Sequence, residues 1–371
     1  MEQTASQGPY SSRGTPADKR QTNRHEGLHL GQGWPINPGS MIKLAILAAD
    51  AWLRDADIRL QLSRDFELHD FSDWQSWDAP TLLKRIRSVE IAITSRASPR
   101  LPEELAENFG HFRYLCHAHG SIRHLASKRL LEKGLIVTNW GEFIAGVAEG
   151  AMALLLCQLK QLVTLDRWTK GGPDERIYQM FPCTLEGRDV GLYGFGPIGR
   201  HMARMLEPFG PKIAIYDPYA KNVPAHIRVC PTLRELFATC QIISIHCGLN
   251  DSTRDSVTRE LLELLPQGGI VINTARGHIV DEQALAELVG KGRLLAGIDV
   301  IRSERNWAGS PLARHSGAVL THHRVGSGKG YPPGHRPKPQ LPEFIVKNLA
   351  AYRQGKPLIN VVTAEEYDLK T

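Results

Sequence analysis

The sequence predicts an α/β protein built on mainly parallel, doubly wound sheets, and three observations carry that prediction. The chain has 371 residues, 42% of them hydrophobic and 23% charged, which suits two cores of ordinary size better than one. From Met41 onward, strand-like apolar runs alternate with polar or helix-forming stretches. A glycine-rich turn, Gly194-Phe195-Gly196-Pro197-Ile198-Gly199, directly follows one such run and opens a helical segment.

Residues 1–40 stand apart. They are polar, rich in Gly, Ser and Pro, and lack the apolar stretch of a signal peptide, so they read as a disordered extension with Met41 a candidate for the true start. The first series of strands is MIKLAIL (41–47), VEIAITS (89–95), FRYLCHA (112–118) and LIVTN (135–139), a unit of roughly one hundred residues. Ala148–Val163 is apolar nearly all round in its first half and reads as a buried helix, joining two units or packing at an interface. A second series follows: DVGLYGFG (189–196), KIAIYD (212–217), IISIHC (242–247), GIVINTA (269–275), LLAGIDV (294–300) and AVLTHH (318–323). Strands at this spacing suit a doubly wound dinucleotide-binding domain. Residues 326–340, basic and full of Gly and Pro, read as a loop, as a plain surface segment or as a cover for the active site. The tail 341–362 has helical spacing at Phe344, Ile345, Leu349 and Tyr352, then an extended end able to return to the first unit.

Composition narrows the function. The excess of 45 Lys and Arg over 39 Asp and Glu, a net +6, is a mild bias that helps attract an anionic substrate or cofactor. No Lys/Arg block argues for nucleic acid, and no apolar run approaches the length of a membrane span. The six cysteines form no CxxC pair and no metal-like cluster, so no metal is expected and a reducing cytoplasm fits best.

The glycine motif carries the first chemistry. Gly194 permits the tight turn, Gly196 lets backbone approach a pyrophosphate, Gly199 lets helix and strand pack, and the helix start at Pro197 and Ile198 supplies N–H groups. A bare motif of this kind is often only a surface turn; the strand before and helix after argue for the dinucleotide. Asp217, ending the next strand, is placed to accept hydrogen bonds from the adenosine ribose and to repel a 2′-phosphate, which favours NAD over NADP; an ordinary Asp-Pro turn is the competing reading.

From Leu135 to His323 the chain resembles the D-isomer-specific 2-hydroxyacid dehydrogenases. The matching stretches are VTN…GVAEGAMALLL, EGRDVGLYGFGPIGR…YDPY, IISIHCGLNDSTR, LLPQGGIVINTARGHIVDEQAL, GKGRLLAGIDVIRSE and LTHH, with weaker agreement at both ends. The resemblance implies two similar α/β units, Rossmann-like and flavodoxin-like, with the active site in the cleft between them. It implies a discontinuous substrate domain, 41–139 plus 325–371, around a cofactor domain, 140–324, and a homodimer formed through the cofactor domain and its long helix. The activity implied is hydride transfer between NAD and a small 2-hydroxy or 2-oxo acid.

Residue by residue, the resemblance makes Arg276, within Asn273-Thr274-Ala275-Arg276-Gly277, the group that grips the substrate carboxylate and carbonyl oxygen, a task suited to a bidentate guanidinium. It makes His323 the acid/base and Glu304 its partner, since a nearby carboxylate fixes the imidazole tautomer and favours its proton. Asp299 resembles the acid that contacts the nicotinamide amide. Thr274, Ala275, His246 and Cys247 fall around the cofactor, with Cys247 read as lining and not as a nucleophile.

The chain also departs from the family pattern. Thr321-His322-His323 stands where relatives read Thr-Pro-His, leaving His322 as a rival of His323. In place of a GVGVD loop the chain has Ala118-His119-Gly120-Ser121-Ile122-Arg123, where backbone N–H groups of His119 and Gly120 remain able to hold a carboxylate and Arg123 is either a second anion contact or a solvated charge. A dinucleotide-sensing scaffold with little turnover is the alternative function. Formate oxidation is disfavoured because Glu304 is an acid where formate dehydrogenases of this superfamily carry Gln.

Overall fold

Two parallel sheets organise the chain. The structure is a computed structural model that describes residues 41–48, 51–140, 144–172, 175–179, 183–326 and 341–367; the extension 1–40 and all but Gly326 of the basic loop lie outside the described residues. The first sheet contains β1 (Ile42–Leu47), β2 (Phe66–Asp70), β3 (Ile91–Thr94), β4 (Tyr114–His117) and β5 (Ile136–Thr138) in the order β2-β1-β3-β4-β5. The second contains β6 (Asp189–Tyr193), β7 (Lys212–Tyr216), β8 (Arg228–Val229), β9 (Ile242–Ile245), β10 (Gly269–Asn273), β11 (Leu294–Ile298) and β12 (Ala318–Leu320) in the order β12-β11-β10-β9-β6-β7-β8. Every pairing of these strands is parallel. The strand order reverses between β1 and β3 in one sheet and between β6 and β9 in the other, and such crevices at the carboxyl ends are where open α/β sheets bind ligands.

Burial on both faces explains why the strands read as continuous apolar runs. In the first sheet the alternation of side chains sends Ala45, Leu47, Ala92, Leu115 and Val137 to one core, and Leu44, Ile46, Ile91, Ile93 and Tyr114 to the other. The second of these cores is closed by the C-terminal helix Glu343–Arg353, which buries Phe344, Ile345, Leu349 and Tyr352, the four positions its helical spacing picks out. Tyr352 stacks on Tyr114 at 5.0 Å, and an antiparallel bridge pairs Thr138 with Val361, so the tail does return to the first sheet. In the second sheet, helices Ile144–Leu159 and Pro197–Leu206 cover the face carrying Leu192, Ile215 and Ile272.

Four local differences from the sequence reading have physical causes. β2 was not anticipated because it is a polar edge strand, FELHD, with Phe66 alone fully buried. β8 has two exposed residues, too few for any pattern. The helix expected over Ala148–Val163 ends at Leu159, turns through Gln161 in the left-handed region (φ 53°) and resumes as Leu162–Lys170 at 54° to the first helix. Leu162 and Val163 belong to this second helix and are exposed, so the apolar run passes from core to surface at the turn. The strand expected over AVLTHH stops at Leu320, because His322 and His323 both have positive φ, 58° and 54°, which no strand accommodates. No single described helix is long and apolar enough to cross a membrane.

Because Phe344 is fully buried against the first sheet, Phe344→Ala should lower stability by about 3–5 kcal/mol, measured as a fall in the urea midpoint; a loss under about 0.5 kcal/mol, the range of neutral surface changes, would mean that the helix does not close this core.

Candidate functional site

The glycine turn forms the first part of the site. Gly194 leaves β6 with φ +99°, and a Cβ there would lie 2.5 Å from the backbone nitrogen of Cys247. A Cβ on Gly199 would lie 2.2 Å from the Gly194 carbonyl oxygen, so strand and helix approach as closely as backbone allows. Gly196 caps the helix Pro197–Leu206 without a side-chain hydrogen bond and has open space where a side chain would stand. The first N–H groups of that helix therefore face a clear cradle, the arrangement that receives a phosphate.

Around this cradle the carboxyl ends of neighbouring strands converge. Asp217 follows β7, and its carboxylate accepts the Phe195 N–H at 2.7 Å and the Tyr219 N–H at 2.8 Å, fastening the glycine turn to the strand. His246 and Cys247 follow β9. Burial holds the His246 imidazole down to about 4 and pushes the Cys247 thiol up to about 12, so both are neutral at ordinary pH. Both ring nitrogens of His246 and the Thr274 hydroxyl are buried without a hydrogen-bond partner among the described residues. Unmet buried polar atoms call for a polar ligand or water, and with the open helix N-terminus they fit a bound dinucleotide.

The end of β11 and the turn after β12 build the proton-handling part. Asp299 is 3% exposed and its Oδ1 accepts the Thr321 hydroxyl at 2.6 Å, the Arg324 N–H at 2.9 Å and the Val325 N–H at 3.1 Å. Its carbonyl takes the His323 N–H at 2.6 Å. Its carboxylate thereby anchors the turn that carries the two histidines. Those histidines then diverge: His323 Nδ1 lies 2.9 Å from the Glu304 carboxylate, whereas His322 stacks on Trp307 at 4.6 Å and 21°. Burial pushes the Glu304 carboxyl up, but the hydrogen bond from His323 and the charges of His323, Arg96 and Arg276 outweigh it and hold the group below its ordinary value.

Arg276 follows β10 and is shaped by its neighbour. Asn273, 1% exposed, donates from Nδ2 to the Arg276 carbonyl at 3.0 Å and accepts the Ala275 N–H at 3.0 Å, which fixes the turn Asn273–Arg276. Burial and the nearby charge of Arg96 both pull the Arg276 guanidinium below its usual value, opposed by Glu304. Arg276, Glu304 and His323 thus meet in one place. From the first sheet, Arg96 joins them just past β3, its Nη2 3.3 Å from His323 Nε2. His119 and Gly120 follow β4; the His119 ring lies against Trp140 at 5.4 Å and the Asn139 amide holds the Gly120 carbonyl at 2.6 Å. Arg123, by contrast, sits over the ring of Tyr367 at 5.8 Å.

Sequence reasoning missed Arg96, Asn273 and Glu282. Glu282 is a buried acid that accepts the Arg302 N–H at 2.7 Å and the Ser310 hydroxyl at 2.6 Å, bracing the segment that carries Glu304. Arg96 lies just beyond the apolar run VEIAITS (89–95), and nothing local marks it; only the meeting of the two sheets sets it against His323. Asn273 stood in the open beside Arg276, and its buried position at the end of a strand was the available signal.

Residues 152–324 match the family described as D-isomer specific 2-hydroxyacid dehydrogenase, NAD binding domain. The chain is 28% identical over 304 residues to glyoxylate/hydroxypyruvate reductase A of Arabidopsis thaliana, covering 81% of this chain and 94% of that relative. It is 32% identical over 225 residues to the hydroxypyruvate reductase of Thermotoga maritima, covering 60% of this chain and 72% of that relative. In fold it is similar to the NADPH-dependent glyoxylate/hydroxypyruvate reductase of Sinorhizobium meliloti, with a TM-score of 0.68 at 23% identity over 90% of this chain and 99% of that one. The glycine cradle, the parallel sheets and the long sequence match agree, and the chain belongs to the D-isomer-specific 2-hydroxyacid dehydrogenase family, as a nicotinamide-dinucleotide-dependent oxidoreductase.

Proposed function

We propose that this chain interconverts a small D-2-hydroxy acid and its 2-oxo acid, with Arg276 binding the carboxylate and His323 exchanging the proton under the control of Glu304. The observation that carries the assignment is the 2.9 Å contact of His323 Nδ1 with Glu304, made while Nε2 faces Arg96 across the cleft. A half-exposed ion pair of this kind adds little to stability. Its value is orientation: with Nδ1–H donated to the carboxylate and Nε2 accepting from Arg96, Nε2 is the atom left to receive a proton.

In oxidation, Nε2 takes the hydroxyl proton, Glu304 stabilises the imidazolium that forms, and Arg276 holds the carboxylate so that C2 presents one face. In reduction, the imidazolium gives the proton to the carbonyl oxygen, whose growing negative charge is met by Arg276. A dinucleotide held in the glycine cradle would supply the hydride acceptor in one direction and the hydride donor in the other. Gly194, Gly196, Pro197, Ile198 and Gly199 would hold its pyrophosphate, and Asp217, at the end of β7, favours NAD by repelling a 2′-phosphate. His119 and Gly120 offer backbone donors to the carboxylate from the first sheet. The acid itself belongs to the class on which the named relatives act, glyoxylate or hydroxypyruvate and their like.

The proposed division places the substrate unit at 41–139 plus 325–371 and the dinucleotide unit at 140–324, supported by the packing of helix Glu343–Arg353 on the first sheet. Exposed Leu162 and Val163 on the helix beyond Leu159 support a homodimer through this region, which sedimentation equilibrium would report as a mass of two chains. Six free cysteines suit a reducing cytoplasm, where cell fractionation should find the chain. The sensing-scaffold alternative gains no support from these relatives.

The deciding experiment follows NADH absorbance with glyoxylate, hydroxypyruvate, pyruvate, 2-oxoglutarate and phenylpyruvate, with NADPH in parallel. Turnover should be faster with NADH and should fall ~10²–10⁴-fold in His323→Gln, with His322→Gln far milder; dinucleotide binding without turnover of any acid would refute the reading. Since the Glu304 carboxyl is held below its ordinary value of 4.5, its pairing with His323 persists throughout the neutral range and is lost only as pH falls below that value. Glu304→Gln should slow reduction roughly 10–100-fold, chiefly in kcat; an unchanged kcat would remove Glu304 from the proton step. Asp299→Ala should cost about 10²-fold in kcat by releasing the histidine turn, while Asp299→Asn, which keeps the acceptor oxygen, should recover most of it.

A further inference from the structure

Arg96 is a cation beside His323 to which the reaction assigns no partner. It stands two residues beyond β3, at the carboxyl-end crevice where the order of the first sheet reverses, facing the catalytic groups of the second. The residue is exposed, and its Nη2 donates to His323 Nε2 at 3.3 Å. Nε2 must be free to meet the C2 oxygen, so Arg96 has to give up this contact when substrate arrives and find an anion nearby.

The charges around it show what kind of anion is missing. Arg96 is close enough to Arg276 to disfavour the charge of that guanidinium, and Glu304 is the acid set against them. In reduction His323 also carries the proton it will deliver, so within this group of four described side chains three cations face one carboxylate. A substrate with one negative charge, held by Arg276, leaves an excess of one; a substrate with two restores balance. Among the described residues, the segment 117–124 beside Arg96 adds no acid. His117, buried at the end of β4, packs against His119 at 5.8 Å and His124 at 5.7 Å, and its Nδ1 is engaged by the Thr94 hydroxyl at 3.0 Å. Burial, with the neighbouring His119, His124 and Arg96, holds the His117 imidazole well below its ordinary value, and burial does the same more mildly to His124. These two rings stay neutral, so the attraction for a second anion rests on the guanidinium. Arg suits that role because its fork matches carboxylate and phosphate oxygens alike.

We propose that Arg96 reads a second anionic group, so that the acid taken by this site is a 2-oxo or 2-hydroxy acid bearing a further carboxylate or a phosphate beyond C2. The inference rests on the dehydrogenase reading above and narrows its substrate class.

The test compares kcat/KM for monoanionic acids (glyoxylate, pyruvate) with that for doubly charged ones, using oxaloacetate and 2-oxoglutarate for the carboxylate and 3-phosphohydroxypyruvate for the phosphate. The native enzyme should favour one of the doubly charged arms by at least ~10-fold, and Arg96→Met should collapse that preference by ~10²-fold, chiefly through KM, because a site built to bind a polar group discriminates strongly by it. Arg96→Lys should restore part of the preference by supplying a charge without the fork. A native preference for monoanions, or an Arg96→Met variant that slows both classes by the same factor, would overturn this proposal while leaving the dehydrogenase intact. An absence of turnover with every acid and both dinucleotides would overturn the dehydrogenase reading and this proposal with it.

Discussion

The buried carboxylate of Asp299 is the constraint on which the site depends. Two consecutive residues, His322 and His323, occupy the left-handed region, a conformation that costs roughly 1–3 kcal/mol for each such residue and persists only where surrounding structure enforces it. Asp299 enforces it by gathering the Thr321 hydroxyl and two backbone N–H groups on one oxygen while its own carbonyl holds His323. The stacking of His322 on Trp307 braces the other side of the turn. With the backbone so fixed, His323 has one direction to point, and Glu304 meets it. The same turn leads Val325 and Gly326 against Gly150 and Gly146 of the helix Ile144–Leu159, where a Cβ on Gly150 would meet Val325 at 2.7 Å.

Two sheets of the same parallel construction meet through their carboxyl ends, and this symmetry distributes the labour. The second sheet provides the glycine cradle from β6, the unmet polar atoms of His246 from β9 and Thr274 from β10, and the chemical groups from the ends of β10 to β12. The first sheet provides little proton chemistry and one positive charge beside the histidine, through Arg96 past β3. Open helix N–H groups suit phosphates because they need no side-chain charge, and guanidinium groups suit planar oxyanions by their geometry.

Burial sorts the many ionisable side chains into those that can act and those that cannot. His117 and His246 are kept neutral by loss of solvent, and Cys116, Cys240 and Cys247 keep their thiols protonated for the same reason. His323 and Glu304 remain partly open to the cleft, 22% and 39% exposed at the side chain, where a proton can enter and leave. The distinction between a structural and a working histidine in this protein is therefore one of solvent access and partner, and residue type alone would not make it.

By itself the sequence determined the parallel α/β class and the glycine turn at Gly194–Gly199, because these are written in local patterns: apolar runs buried on both faces and a strand–turn–helix junction; Arg276, Glu304 and His323 were marked by the resemblance of contiguous motifs to a family. The edge strands β2 and β8 escaped it because an exposed polar edge carries no apolar period. The tertiary structure decided that Asp299 anchors the histidine turn, that His322 packs on Trp307 while His323 meets Glu304, and that Arg96 faces His323 across 227 positions of sequence. Hydrogen bonds of that kind depend on where two sheets come together and on which left-handed turn a buried carboxylate can hold, and neither has a signature in the residues that flank it.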